Sequence, residues 1–346
     1  MVSPRISVVV RSYNRLAVLA ELLELLLAQD HDSFEVVIVD QTVNGKREDI
    51  ARIDALATDP RVSFLKFPPL GGPRARNTGV RNSRGDIIVL IDDDDLPATN
   101  QWLRQHEANY DDPNCLGVSG RHLDENGDPK SYVNMAKARR QVLTFNAFKW
   151  QRVYVASDRR THVESLHGTN ASIRRTALER FGLWDECTPI EDEPSIAFRI
   201  NDMKADHEYL VFDPETTIRR RLDVPGGMAK RTLGGFGYAK KTFTFLHNIV
   251  GHYFPIRFAL AYPLYYFYAA VMTTDWILTD SIKHDSHVRR FLSIAGVWLA
   301  LPIYWMGWLG KWWLDRIRNG ELPHHPTLEA ARPTPALPAG LPVAEG

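Results

Sequence analysis

The chain has 346 residues, enough to bury one large core or two smaller ones. Its 42 basic and 42 acidic residues cancel, which removes any overall bias toward a polyanionic partner. The two cysteines, Cys115 and Cys187, exclude a disulfide framework, sit in no metal-ligand spacing and suit a reducing compartment.

In chain order, Met1 to Ser12 has no basic segment followed by a long apolar one, so no secretory signal is expected. No internal repeat is found. Ile6 to Val10 is a continuous branched run, the pattern of a central strand, and runs into a polar loop, Arg11-Ser12-Tyr13-Asn14-Arg15. Leu16 to Ala28 places leucines at helical spacing. Phe34 to Val39 reads as a strand closing on Asp40, Arg47 to Ala57 as a helix, and Val62 to Phe67 as a strand. This order predicts an α/β fold with a doubly wound, mostly parallel sheet. Gly71-Gly72-Pro73-Arg74-Ala75-Arg76-Asn77-Thr78-Gly79 opens a short helix, and its basic residues suit a phosphate or plain surface charge. No Gly-x-Gly-x-x-Gly follows the first strand, and no glycine-lysine phosphate loop is present. Both absences argue against a dinucleotide oxidoreductase and a P-loop NTPase.

The next strand, Ile87 to Ile91, ends in Asp92-Asp93-Asp94-Asp95 and then Pro97. Four adjacent carboxylates repel one another. At the C-terminal edge of an open sheet, where such folds bind ligands, they suit a hard divalent cation that bridges to substrate phosphates. A solvated acidic turn is the plainer alternative. Pro194 to Ile200 reads as a helix, so Glu191-Asp192 before it also suits a helix N-terminus.

The composition then changes. Phe258 to Thr274 carries no charge for 17 residues and Phe291 to Leu309 none for 19. Most of the nine tryptophans lie here, with Arg289, Arg290, Lys311, Arg316 and Arg318 around the second run. Apolar runs with basic and tryptophan ends suit a membrane, either spanned or lain upon; a helical subdomain packed on a partner is the soluble alternative. The expected organisation is an α/β domain over 1–225, an apolar, aromatic helical membrane-associated region over 226–320, and a disordered Pro/Ala-rich tail over 321–346.

With these pieces in order, the chain resembles the family 2 glycosyltransferases, which have the GT-A fold. The matching residues are Ile6 to Arg15, Val37-Ile38-Val39-Asp40, Ala75-Arg76-Asn77-Thr78-Gly79 and the Asp92 cluster. His167-Gly168-Thr169-Asn170-Ala171-Ser172, Gly182-Leu183-Trp184-Asp185-Glu186 and Ile190-Glu191-Asp192-Glu193 follow. The likeness covers about residues 4 to 225. It implies an inverting transferase using a nucleotide-sugar donor, with Mn²⁺ or Mg²⁺. The C-terminal aromatic helices, outside the likeness, suggest a glycan or lipid-linked acceptor at a membrane, with the α/β domain on the cytoplasmic face where nucleotide sugars are made; no nucleic acid partner is expected. Ser12, Tyr13 and Arg15 would line the nucleotide pocket, Asp40 would meet the base, and Arg76 and Asn77 would approach the nucleotide or its phosphates. Asp92 and Asp94 fit the Asp-x-Asp element, with Asp93 the competing register and Asp94 on the metal. Gly168 and Asn170 would shape the sugar pocket; Trp184 would be either a sugar-stacking platform beside the acceptor or a core aromatic, and His167 would touch acceptor or donor or simply be solvated. Asp192, beside Glu191, would be the base that a weakly nucleophilic hydroxyl needs. Where many relatives carry a histidine after the Asp213-Pro214 strand, this chain has Arg219-Arg220-Arg221, and Arg220 suits a diphosphate. Rival readings are a nucleotidyltransferase, which should carry a glycine-rich lysine loop after the first strand, and a non-catalytic membrane-anchored nucleotide-sugar-binding protein.

Overall fold

In a computed structural model of the chain, the described residues are 5–127, 144–145, 151–152, 158–186, 193–221, 224, 255–278, 286–299, 301–319 and 327–328. The first half alternates strand and helix: β1 (Ile6–Ser12), α1 (Leu16–Leu27), β2 (Phe34–Asp40), α2 (Arg47–Leu56), β3 (Val62–Lys66), α3 (Gly72–Asn82) and β4 (Ile87–Asp92). The strands lie in the order β3-β2-β1-β4, all parallel. β1, β2 and β4 are covered on both faces, which is why they are unbroken Val and Ile runs. β1 is longer than its apolar run. Arg11 and Ser12 belong to the strand, because β2 and β4 pair with it on either side as far as Asp40 and Asp92.

The second half contains β5 (Asp95–Pro97), α4 (Trp102–Ala108), β6 (Cys115–Asp124), a separate antiparallel pair β7 (Thr144–Phe145) and β8 (Gln151–Arg152), β9 (Thr161–Val163), β10 (Ala171–Arg174), α5 (Arg175–Phe181), α6 (Glu193–Met203) and β11 (Tyr209–Arg220). β10 runs antiparallel between β4 and β6, β11 is parallel to β6, and β5 and β9 pair antiparallel with β11. The result is a mixed, mostly parallel sheet.

Two apolar layers hold it. On one face α1 and α4 cover Ile6, Val8, Val10, Val36, Ile38 and Val89. Leu16, Leu19, Leu22, Leu23 and Leu26 of α1 are buried there, each worth about 1.5–3 kcal/mol relative to exposure. On the other face α3, α5 and α6 cover Val9, Ile88, Leu90 and Ile173. α3 lies close to the sheet at Gly79, where a Cβ would sit 2.3 Å from Val9 Cγ1; glycine is what permits that approach.

Among the described residues three helices follow: α7 (Pro255–Leu278), with Pro263 inside it, α8 (His287–Leu299) and α9 (Leu301–Asn319). They pack on one another. The Tyr262 hydroxyl donates to the Trp305 carbonyl, and Trp298 Nε1 donates to Thr274 Oγ1 at 3.0 Å. Ile256, Leu260, Leu264, Phe267 and Val271 form an exposed stripe along α7. Among the described residues one stretch, His287–Lys311, is long and apolar enough to cross a membrane by length and composition.

Candidate active site

Because β1, β2 and β4 are parallel, their C-terminal ends share one edge. The register sets Arg11 beside Asp92 and Ser12 beside Asp40. After Asp92 the chain turns sharply into β5, which pairs with the end of β11 so that Asp95 opposes Arg220. The turn sends the four carboxylates to different neighbours. Asp92 is gripped by Arg11, with Nε to Oδ1 at 2.8 Å and Nη2 to Oδ2 at 3.3 Å. Asp93, fully buried, accepts from Ser12 Oγ at 2.8 Å and pairs with Arg15 Nη2 at 2.5 Å. Asp94 meets Arg15 Nη1 through Oδ2 at 3.0 Å. Asp95, also buried, takes both the Nε and Nη2 of Arg220 at 2.5 Å.

These surroundings pull the carboxyls apart in acidity. Burial would raise the Asp92 carboxyl, but Arg11, Arg220 and Arg76 outweigh it and hold it well below the usual range. Asp93 is pushed up to about 7 by burial, against the pull of Arg15. Asp95 is raised by burial against the pull of Arg220.

The segment before β10 completes the turn. The Thr169 hydroxyl donates to Asp95 Oδ2 at 2.6 Å and accepts from the Asp92 amide at 2.9 Å. Its neighbour Asn170 has a left-handed backbone, φ 50°, which asparagine tolerates. Asn170 Nδ2 donates to the Arg121 and Thr216 carbonyls at 2.9 and 2.8 Å, and its Oδ1 accepts from Trp102 Nε1 at 2.9 Å. His106 Nε2 lies 3.3 Å from the same Oδ1. His106 Nδ1 lies 2.9 Å from Ser172 Oγ, which accepts from Tyr110 at 2.8 Å. His167 is half-buried above His122, ring edge to ring face at 4.4 Å; burial, then His167 and Arg220, hold the His122 pKa well below its ordinary value.

The opposite wall is α3. Arg76 Nη2 donates to the Gly168 carbonyl at 2.9 Å, with its guanidinium 5.3 Å from the Trp184 ring centre. Asn77 Nδ2 donates to the Trp184 carbonyl at 2.8 Å and to Glu186 Oε1 at 2.9 Å, and Asn77 Oδ1 accepts from the Trp184 amide at 3.2 Å. Between the walls lies a small hollow, open to solvent on one side and lined by Val9, Arg11, Arg76, Leu90, Asp92 and Gly168 among others. Tyr13, in the loop after β1, is exposed.

Several residues expected to touch donor or acceptor are buried in this structure and pair with one another. Ser12, Asp40, Arg76, Asn77, Asp93, Asn170, Trp184 and Arg220 are each 5% exposed or less. The physical reason is common to them: buried polar groups need partners, and at this edge they satisfy one another. Asp40 is held by Thr42 N, Thr42 Oγ1 and Lys66 Nζ at 3.0, 2.6 and 2.6 Å. Trp184 lies in the core beneath Arg76 rather than on an acceptor surface. Arg220, expected at a diphosphate, is buried and pairs with Asp95, with Nη2 3.9 Å from Asp92 Oδ2. Arg11, Arg76, Asp92 and Gly168 line the hollow together, and Arg15 pairs with both Asp93 and Asp94, which follow Asp92 in sequence. Glu191 and Asp192 lie outside the described residues. Arg11 was not singled out from the sequence; the available signal was that a strand ending in arginine would pair with one ending in aspartate.

The donor set fits a hard divalent cation. Asp92, Asp94 and Asp95 each bring a carboxylate oxygen within 4.8 Å of the others. Asp95 is the poorest ligand of the three, since it is fully buried and Arg220 grips both its oxygens at 2.5 Å, closer than Arg11 holds Asp92. Asp92 and Asp94 remain, and one or two carboxylates plus substrate phosphates are a usual set for Mg²⁺.

Comparison with known proteins agrees with this geometry. Among curated relatives, an uncharacterised glycosyltransferase of Rickettsia conorii is 34% identical over 93 residues, 27% of this chain and 15% of its own length. The glycosyltransferase GlyG of Streptococcus pneumoniae is 34% identical over 135 residues, 38% of this chain and 44% of that protein. The chain thus spans less than half the length of these relatives. Among solved structures, the mannosyltransferase PcManGT from Pyrobaculum calidifontis, in complex with GDP-Man and Mn²⁺, superposes with a TM-score of 0.53 at 20% identity, covering 92% of this chain and 88% of that one. The family model for glycosyl transferase family 2 matches residues 7–182, about half the chain and all of the crevice edge; the protein belongs to that family.

Proposed function

We propose that this chain is an inverting glycosyltransferase that moves one sugar from a nucleotide-sugar donor to a hydroxyl of a glycan or lipid-linked acceptor at the cytoplasmic face of a membrane, in the synthesis of a cell-surface polysaccharide or glycolipid. The observation that carries it is the crevice at the C-terminal edge of β1 and β4, where Arg11 and Arg76 flank Asp92. A sugar diphosphate is the ligand that answers both the arginines and the carboxylates. PcManGT, with the same fold, was solved with GDP-Man and Mn²⁺.

In this reading Tyr13 and the end of β2 border the nucleoside, and Arg11 and Arg76 hold the diphosphate. The acceptor oxygen bonds to the anomeric carbon as the bond from that carbon to the phosphate oxygen breaks. The hydroxyl proton passes to Asp192, and the electron pair leaves with the nucleoside diphosphate. A Mn²⁺ or Mg²⁺ ion on Asp92 and Asp94 would neutralise the leaving diphosphate. Arg15 holds the Asp94 carboxylate in place, and Thr169 fixes the Asp92 backbone.

The test is nucleoside diphosphate release from a panel of nucleotide sugars, with and without Mn²⁺ and with membrane extract as acceptor source. One donor is expected to be cleaved slowly alone and faster with acceptor. Asp94→Asn should lower cleavage about a hundredfold or more, and Asp192→Asn should keep donor binding while losing transfer. A chain that binds none of the donors overturns the reading.

A further inference from the structure

The C-terminal tail reads as disordered, yet Thr327 and Leu328 return to the sheet domain. Leu328 packs against the core layer containing Val80, Leu178, Phe181 and Trp184. The Thr327 carbonyl accepts from Arg81 Nε at 3.3 Å and Nη2 at 3.2 Å. Arg81 is 7% exposed, and its remaining Nη1 lies 3.7 Å from Glu186 Oε1. Glu186 is also held by Asn77 at 2.9 Å and by Arg74 at 3.2 Å. Asn77 and Arg81 are four apart on α3, so one helix face carries both the tail contact and the clamp on Trp184 to Glu186. Asp185, the next residue, is tied to α6 by Ser195 Oγ on its amide at 3.2 Å and by Arg199 on its carboxylate at 3.0 Å.

We infer that Thr327 and Leu328 are a latch, and that Arg81, gripping the latch and facing Glu186, is a positioning residue for the acceptor-side segment of the site. The segment from Leu183 to Glu186 leads directly to Glu191 and Asp192 in sequence. Its anchor is shared by a piece of chain that begins eight residues after α9. The latch thereby bears on the segment from Leu183 to Glu186, while the donor crevice is lined by other residues. The catalytic half of this inference rests on the transferase reading; the mechanical half does not.

The experiment uses the full chain with Leu328→Asp, and separately Arg81→Gln, against wild type. Hydrogen exchange is read at peptides covering residues 182 to 186 and, as an internal comparison, at β1 and β4. Donor hydrolysis and acceptor transfer are measured on the same samples. Exchange at 182 to 186 should rise about tenfold in Leu328→Asp with β1 and β4 unchanged. Transfer should fall at least fivefold through kcat while donor KM and donor hydrolysis stay within twofold. Unchanged exchange at 182 to 186 in Leu328→Asp overturns the latch. Faster exchange there with transfer and hydrolysis falling together overturns the positioning role. Wild type that cleaves no donor sinks the transferase reading, and the exchange result still decides the latch. Because Leu328 lies in the tail, its substitution keeps the test valid where Arg81→Gln unfolds.

Discussion

Asp95 and Arg220 show how a single pair can decide what a whole acidic run is for. Both are buried, the pair is bidentate, and Thr169 caps the remaining contact. Removing one partner leaves an uncompensated buried charge, so Asp95→Ala should cost about 3–5 kcal/mol, read as a lowered urea midpoint. Replacing both by apolar residues, Asp95→Leu with Arg220→Met, should recover most of that loss. A loss below about 1 kcal/mol for Asp95→Ala would mean the pair does not hold the turn. His106 makes a second residue-scale case. It is buried against Trp102, between Ser172 and Asn170, with Asp213 nearby. Tyr110 donates to Ser172, so Ser172 donates to Nδ1 and Nε2 donates to Asn170, which is the neutral ring. Burial lowers the His106 pKa to about 4 from 6.5. The unfolded chain therefore binds the proton first as pH falls. The stability held by neutral His106 is complete above about pH 6.5 and is lost between 6.5 and 4, up to about 3 kcal/mol. Melting temperatures from pH 7.5 to 5 should fall less steeply in His106→Gln than in wild type.

The seam between β6 and β11 is the element that aims the loop at Thr169 and Asn170. Its register slips between Asp213 and Thr217, and this bulge turns the end of β11 toward β5 and Asp95. Gly120 sits opposite the slip. A Cβ there would lie 2.1 Å from the Thr216 carbonyl oxygen and 2.3 Å from Asn170 Nδ2. A backbone carbonyl has nowhere to retreat, so Gly120→Ala should cost about 1–3 kcal/mol by overpacking. It should also weaken donor binding by displacing Asn170 and with it Thr169. Thermal melts and donor titration calorimetry check the two effects separately; a melt unchanged from wild type would show that the seam can relax.

At the scale of the molecule, α7, α8 and α9 pack among themselves and leave apolar side chains outward. Leu260, at 80% exposed, and Phe267, at 53%, lie on one stripe of α7. A soluble surface does not present such a stripe without a partner, and a bilayer is the partner in the proposed function. The full chain should float with lipid vesicles, and Leu260→Asp with Phe267→Asp should lower the bound fraction at least tenfold, since each buried side chain is worth about 1.5–3 kcal/mol. Retention of the wild-type chain in the soluble fraction would point to a protein partner for these helices instead.

The local elements and their order were legible because each depends on near neighbours. The Val and Ile runs of β1, β2 and β4, the leucine spacing of α1 and the abrupt end of β4 in four aspartates are properties of a few consecutive residues. So is the gathering of polar strand ends at one edge, once the alternation of strand and helix makes the sheet parallel. Which of those polar residues face open space was not legible. Arg220 reaches Asp95 across 125 residues of chain, and only the β11 bulge and the antiparallel β5 bring them together. Asn170 is spent on Arg121, Thr216 and Trp102, three partners from different elements. A sequence names the charges and amides an edge will hold; their mutual satisfaction under burial, a long-range property, selects Arg11, Arg76 and Asp92 as the ones that line the crevice.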